Sequence, residues 1–419
     1  MKYFDYDQEQ IQRSNKVPYD SEPITRSRSY KPTSPKSSGG ANKVVVFLLI
    51  VLIAFNLVLG VMVFRSNLDN GGRVTVENYY NIDDGASANS TYMTSKALPS
   101  AVCIASGYNT TVTSNNISYE NFQQMNDKGS GVITAIDKDE GSATIVTCEH
   151  VVSGNEDSIY ILLFDSYKPI KATYIGGVRE KDIAVLKIYS SSEVSSSSAV
   201  ACSVGNSMYL TYGNPVLAVG NPIAGGFDTS FGIVRKAQTL VTVPSVGVER
   251  VIAIDVPINS GNSGGGLFNE QGELVGIVNA KIENVAIDNY SYAIPSTLAM
   301  SIASSIETNR GIARKASLGL EFMISDEGRD ALIINGNTIM IDTVVAKNIV
   351  EGSAADRAGI LDGDVVIGFT YHNNISVDMI SMYSFEDHAY RIGVGDTVTF
   401  TIKRNSSTIS LTVTISEVV

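Results

Sequence analysis

A chain of 419 residues with 44% apolar side chains is long enough for two or three folded domains. Its 31 basic and 43 acidic residues leave a formal charge of −12, which argues against nucleic acid or an anionic lipid surface as partner of the whole molecule. Three cysteines (Cys103, Cys148, Cys202) are too few for a disulfide scaffold and lack the paired spacing of a zinc site. They read as small buried apolar groups, one disulfide among them being possible, and no metal or cofactor is expected.

Residues 1–43 hold eight Lys/Arg and five Asp/Glu among Ser, Pro and amides, with few aliphatics. Such a segment cannot bury enough apolar surface to order itself and is expected to be a disordered tail. Residues 44–64 (VVVFLLIVLIAFNLVLGVMVF) carry no charge and a single amide, Asn56. That length at helical rise covers the hydrocarbon core, which predicts one transmembrane helix. Arg26, Arg28, Lys31, Lys36 and Lys43 crowd its N-terminal flank, against Arg65 and Arg73 beyond it. The positive-inside rule then keeps the tail in the cytoplasm and exports everything after Phe64, the topology of a single-pass plasma-membrane protein. Residues 65–95 read as a polar linker.

From Ala97 the pattern changes to short β-rich runs (SAVCIAS, GSGVITAI, SATIVTCEHVV, SIYILLF, DIAVLKI, PVLAVG, VIAIDV, GELVGIVNA) separated by Gly, Asn and Asp. Many short strands at this spacing predict a β-barrel or sandwich domain over residues 96–310, closed by a helix over 296–310. Residues 316–419 mix strands (TIMIDTVVA, DVVIGFTY, TVTFTIKR, TISLTVTI) with two helix-like stretches, SAADRAGI and VDMISMYSFEDHAYRI. About a hundred residues of that mixture suggest a compact α+β module.

The chemistry concentrates in the β-rich domain. Ser263 lies in a Gly-Asn-Ser-Gly-Gly turn between two strands, where Gly261, Gly264 and Gly265 allow backbone N–H groups to crowd one point. Peptide hydrolysis by serine needs such donors for the oxyanion, together with a nucleophile and a base. A glycine-rich hairpin with an incidental serine would look similar. Of three histidines, only His150 falls in this domain, at the end of an apolar strand; a lone histidine there is more often structural. Asp182 opens the strand DIAVLKI and could orient the imidazole, although an Asp at a strand start is also a routine turn residue. Each signal is modest alone. The ordered set His150, Asp182, Ser263 on a β-rich domain points to a serine endopeptidase.

The blocks TCEHVV, EKDIAVLKI, PVLAVGNPIAGGFDTSFGIV, NSGNSGGGLFNEQGELVGIV and YAIP resemble the HtrA/Deg family of trypsin-like proteases over residues 97–305. Downstream, SLGLEF, VVAKNIVEGSAADRAGILDGDVVIGF and GDTVTFTIKR resemble the PDZ domain that follows in that family. The resemblance implies a mainly β molecule: a chymotrypsin-like double β-barrel with its site between the barrels, then an α+β PDZ domain, preceded here by a single transmembrane helix. It also implies cleavage of unfolded or misfolded exported polypeptides by a homotrimer or larger assembly. By position His150 would be the general base, Asp182 its orienting partner and Ser263 the nucleophile, with Gly261, Asn262 and Ser263 forming the oxyanion turn. The family usually has Pro where this chain has Ser260 and Gly266, so a loosened turn and low basal activity are expected.

In trypsin-like pockets, cleavage after Lys or Arg needs an acid six residues before the serine. Pro257 stands there, so cleavage after small or medium aliphatic residues is expected, with Ile277, Val278, Asn279 and Ala280 as a pocket wall. Leu318, Gly319 and Leu320 match the PDZ loop that holds a ligand's C-terminal carboxylate, and the strand from Leu320 to Ile324 is the expected docking edge. The competing readings are a catalytically silent PDZ scaffold or chaperone on a protease fold, and a signalling receptor acting through its tail.

Overall fold

The computed structural model describes residues 85–107, 117–221, 226–243, 247–280, 290–334, 337–372 and 374–419. The expected tail (1–43), the expected membrane helix (44–64) and residues 65–84 of the expected linker lie outside them. Among the described residues no helix is long and apolar enough to cross a membrane.

The first described element departs from expectation. Where the sequence suggested the end of a polar linker, a helix α1 forms over Gly85–Ala97. Its composition is nearly all small and polar, so no apolar stripe announced it. Met93 and Ala97, four residues apart and thus on one face, are fully buried in the main core. Two anchors suffice because the core, not intrinsic propensity, stabilises the helix.

Six strands then close a first barrel: β1 (Ala101–Ser106), β2 (Asp127–Asp137), β3 (Ser142–Thr147), β4 (Ile159–Leu163), β5 (Ile170–Val178) and β6 (Ile183–Ile188). Their order around it is β1-β2-β3-β6-β5-β4, every neighbouring pair antiparallel. Helix α2 (Tyr119–Gln123) precedes β2 and α3 (Ser192–Ser196) follows β6, each capped by a serine. The second barrel comprises β7 (Ser203–Val204), β8 (Pro215–Gly220), β9 (Asp228–Val243), β10 (Gly247–Ile254), β11 (Gly266–Phe268), β12 (Glu273–Val278) and β13 (Ser291–Pro295). Its strands run β11-β8-β9-β10-β13-β12, and β12 pairs back onto β11. Helix α4 (Ser296–Thr308) presents Leu298, Ala299, Ile302, Ala303 and Ile306 at three- and four-residue spacing to the main core.

The C-terminal module is built on a sheet ordered β15-β16-β17-β19-β20, with β18 beside β17. Its strands are β14 (Ala316–Ser317), β15 (Glu321–Ile334), β16 (Asn337–Lys347), β17 (Val365–Tyr371), β18 (Ile375–Asp378), β19 (Thr397–Arg404), β20 (Ser407–Thr414) and β21 (Glu417–Val418). Helices α5 (Ala354–Arg357) and α6 (Glu386–Ala389) complete it. The stretch VDMISMYSFEDHAYRI, read as helical, contains the end of β18 and only the one-turn helix α6. The Ser381 and Ser384 hydroxyls accept backbone N–H groups of Tyr383 and Ser381 (3.2 and 3.1 Å), local bonds that compete with a helical ladder. The module rests on the second barrel through a buried ion pair between Arg250 of β10 and Asp387 of α6. Thr297 Oγ1 also donates to Asp387 Oδ2 at 2.9 Å.

Candidate active site

The strand β3 ends at Thr147, and a single 3-10 turn over Glu149–Val151 carries the chain out of the first barrel. Val151 and Val152 stay in the core, which fixes the turn and leaves the His150 side chain 23% exposed at the rim. Asp182 sits between β5 and β6 with φ of +50°, an uncommon backbone conformation for a residue with a side chain. The conformation aims its carboxylate along the rim rather than into solvent. Asp182 Oδ1 accepts the His150 backbone N–H at 2.9 Å, and Oδ2 lies 2.6 Å from His150 Nδ1. A carboxylate can only accept, so Nδ1 carries the hydrogen and Nε2 is the available base. The amide of Asn279 donates to the same Oδ2 at 2.9 Å.

Behind Asp182 the charges alternate. Lys181 Nζ lies 3.6 Å from Glu249 and 3.5 Å from Glu386, joining the first barrel, the second barrel and the C-terminal module. Burial lifts the Glu249 carboxyl above its usual range, against the opposing pull of Lys181.

Ser263 comes from the second barrel, in the turn between β10 and β11, and is 5% exposed. The turn is pinned at successive carbonyls. Ser130 Oγ donates to Gly261 O at 2.7 Å, Gly265 N–H to Asn262 O at 3.0 Å, and Ser130 N–H to Ser263 O at 2.8 Å. Fixing a carbonyl fixes the N–H of the next residue, because the peptide is planar. Accordingly Asn262 N–H is held on Asn259 O and Gly264 N–H on Val278 O, at 3.0 and 2.9 Å. The N–H groups of Gly261 and Ser263 meet no acceptor among the described residues, as a pair of donors awaiting an anion would. Gly261 has φ of +98° and Gly264 φ of +83°. A Cβ on Gly264 would strike Thr147 and Ser130, so the turn seats against the first barrel only because no side chain intervenes.

The two halves are not fully joined. Among the described residues Ser263 Oγ makes no hydrogen bond with His150; it accepts the Ala280 N–H at 3.1 Å. The looseness expected from Gly266 is not found there. Gly266 is buried and paired on both sides in β11, and a Cβ would meet the Phe268 ring. Between Ser260 and Gly265 the unanchored peptide is Ser260–Gly261, whose C=O and N–H both lack partners among the described residues.

The expected pocket wall contracts. Ile277 and Val278 are fully buried, the first packed in the main core and the second in the core of the second barrel, so their side chains cannot line an open pocket. They alternate along β12, and here both faces of that strand are covered. Asn279 turns its amide to Asp182, while Ala280 borders Ser263 directly. Sequence reading missed Ser130: its motif, GSGVITAI, looked like an ordinary strand.

Cys148 Sγ, His150 and Asp182 place ligand atoms within 4.8 Å of one another, a grouping that could hold a metal ion. The His150–Asp182 contact at 2.6 Å is closer than two ligands on one tetrahedral ion, roughly 3.3 Å apart at ordinary bond lengths, and the carboxylate already takes part in three hydrogen bonds. The grouping fits a hydrogen-bonded relay better than a metal centre. The three cysteines are free; burial pushes the Cys103 thiol up strongly and Cys202 up to about 12, so neither supplies a thiolate nucleophile.

In the C-terminal module, Leu318, Gly319 and Leu320 line a groove of about 520 Å³ with Phe322, Met382 and Phe385. Gly319 has φ of +72°, and no acceptor meets the N–H of residues 318–320 among the described residues. The adjoining β15 is an edge strand.

A family model for the trypsin-like peptidase domain matches residues 129–277. Over 309 residues the chain is 31% identical to the "Serine protease Do-like HtrA" of Lactococcus lactis subsp. cremoris, covering 70% of this chain and 72% of that protein. The likeness to the protein of the same name from Lactobacillus helveticus is 29% over 297 residues, 68% of each chain. For the Bacillus subtilis protein of that name it is 30% over 286 residues, covering 66% of this chain and 61% of its relative. The double barrel, its inter-barrel site and these matches together make the chain a member of the HtrA family of trypsin-like serine proteases, and a serine endopeptidase.

Proposed function

We propose that His150, Asp182 and Ser263 are the catalytic triad and that the N–H groups of Gly261 and Ser263 form the oxyanion hole. The observation that carries this is the 2.6 Å Asp182–His150 contact, which fixes one tautomer of an imidazole at the barrel rim beside a serine in a glycine-flanked turn. In the reaction, Ser263 Oγ leaves the Ala280 N–H, His150 Nε2 takes its proton, and Oγ attacks the scissile carbonyl. The carbonyl oxygen, now anionic, is held by the two N–H groups while Asp182 stabilises the imidazolium. His150 then protonates the leaving amine, and water repeats the sequence on the acyl-enzyme. A resting serine bonded to Ala280 rather than His150 supports low basal activity. With Pro257 exposed and no acid between it and Ser263, the reading favours cleavage after small or medium aliphatic residues.

The C-terminal module is read as a PDZ domain. An edge strand beside a loop with three unused N–H groups suits addition of a peptide's C-terminal strand, its carboxylate on residues 318–320. The full molecule is read as a homotrimer or larger, anchored by residues 44–64 with its protease outside the plasma membrane, acting on unfolded polypeptides. A fluorophosphonate probe applied to the full chain, with and without unfolded casein, tests the central claim. Labelling at Ser263 with casein cleavage is expected; an unlabelled, inactive protein would leave only a scaffold.

A further inference from the structure

We propose that Ser130 is a positioning residue for this reaction: from the first barrel it clamps the nucleophile turn of the second, holding the oxyanion donors in register. The inference rests on the triad reading above.

Ser130 lies on β2, opposite Cys103 of β1, and is 1% exposed. Its Oγ donates to Gly261 O at 2.7 Å, 131 positions away, and accepts Asn221 N–H at 2.8 Å, 91 positions away at the end of β8. Its own N–H goes to Ser263 O at 2.8 Å, and its carbonyl receives Thr147 Oγ1 at 2.7 Å. One residue of the first barrel therefore holds the carbonyls on both sides of Asn262 and ties them to β8.

The consequence follows from peptide planarity. With the carbonyls of residues 261 and 263 held by Ser130, and that of 262 by Gly265, the direction of the Ser263 N–H is set before substrate arrives. Between Ser260 and Gly265 the one peptide with neither end held among the described residues is Ser260–Gly261. Ser130 thus helps confine the mobility of that stretch to a single unit. Without its hydroxyl, Gly261 O would lie buried without a donor, and the Gly261–Asn262 peptide would be held at one end alone, through Asn262 N–H on Asn259 O. Donors that have lost their direction stabilise the anionic intermediate poorly, while ground-state binding, made elsewhere, is unaffected.

The test compares full-length Ser130→Ala, Ser130→Thr and Ser130→Cys proteins with wild type. Ser100→Ala serves as a control: its hydroxyl is equally buried but donates to Ala97 O at 2.8 Å, within its own turn. Four quantities are read: kcat, KM, affinity for a peptide boronate that mimics the tetrahedral adduct, and thermal midpoint. Ser130→Ala is expected to lose roughly 10- to 100-fold in kcat and in boronate affinity with KM within about threefold, a fraction of what loss of an oxyanion donor costs. Ser100→Ala should lower the thermal midpoint comparably with kcat retained. Ser130→Thr, which keeps the donor, should recover more kcat than Ser130→Cys, and that pair decides the matter should Ser130→Ala not fold. If Ser130→Ala, or Ser130→Cys in its place, keeps wild-type kcat and boronate affinity in an enzyme whose Ser263 labels normally, the clamp is wrong and the triad stands. If wild-type Ser263 does not label at all, the triad reading fails and this inference falls with it.

Discussion

The two halves of the active site are built on opposite plans. On the first barrel, Asp182 and His150 are joined by two hydrogen bonds, and Asn279 adds a third to the carboxylate. On the second barrel, Ser263 sits in a turn of glycines whose order comes from outside, through Ser130, and whose hydroxyl is held by Ala280. The proposed acid–base pair is complete at rest, and the proposed nucleophile is not. The contrast places the adjustable part of this enzyme at one peptide, Ser260–Gly261, rather than in the relay behind it.

The largest effect should come from removing the proposed nucleophile. Ser263→Ala should abolish probe labelling and reduce casein cleavage by about 10⁴-fold or more, measured against wild type at equal concentration. Asp182→Asn attacks the complete half: an amide could present N–H where the imidazole needs an acceptor, favouring the wrong tautomer, and kcat should fall by roughly 10³- to 10⁴-fold with folding intact. Asn279→Ala removes one donor from the carboxylate. A loss of roughly tenfold in kcat, with KM nearly unchanged, would mark Asn279 as an orienting group. A change confined to KM or to the residue preferred at the cleaved bond would restore it to the pocket wall.

Ser260→Pro should sharpen the contrast in the opposite direction. The Ser260 N–H donates to nothing among the described residues, so proline removes no bond while fixing the backbone just before the free peptide. Basal labelling should rise by about two- to fivefold if the native φ suits the ring.

The smallest effect concerns the C-terminal module. Burial, helped by nearby Arg391, pushes His388 down to about 4, with Nδ1 2.9 Å from the Tyr371 hydroxyl. The unfolded chain therefore binds the proton first as pH falls. The stability tied to this neutral imidazole is present above about pH 6.5 and is lost as pH drops toward 4. His388→Gln should flatten the decline of the module's unfolding midpoint across that window, followed by circular dichroism.

Much of this was legible in the primary structure because it depends on local pattern. Alternating apolar runs set the strands, three- and four-residue spacing set α4, and GNSGG marked a turn that only glycines permit. His150, Asp182 and Ser263 stood out as candidates because each lies in a loop or turn flanking a strand, where a polar residue interrupts the apolar pattern. Helix α1 and the short α6 were not legible, since burial of Met93 and Ala97 and the serine bonds around residue 384 override weak local preference. Nor was the fate of Ile277 and Val278: the pattern says they alternate, but only the assembled barrels show that both faces are covered. Ser130 belongs to the same class. Nothing near it in the chain marks it, for its partners in the second barrel lie 91 to 133 positions away and meet it only when the two barrels close on each other. Local periodicity and turn chemistry fix elements and candidate groups; hydrogen bonds between distant segments, which have no sequence period, decide which of those groups are held and which are left free to move.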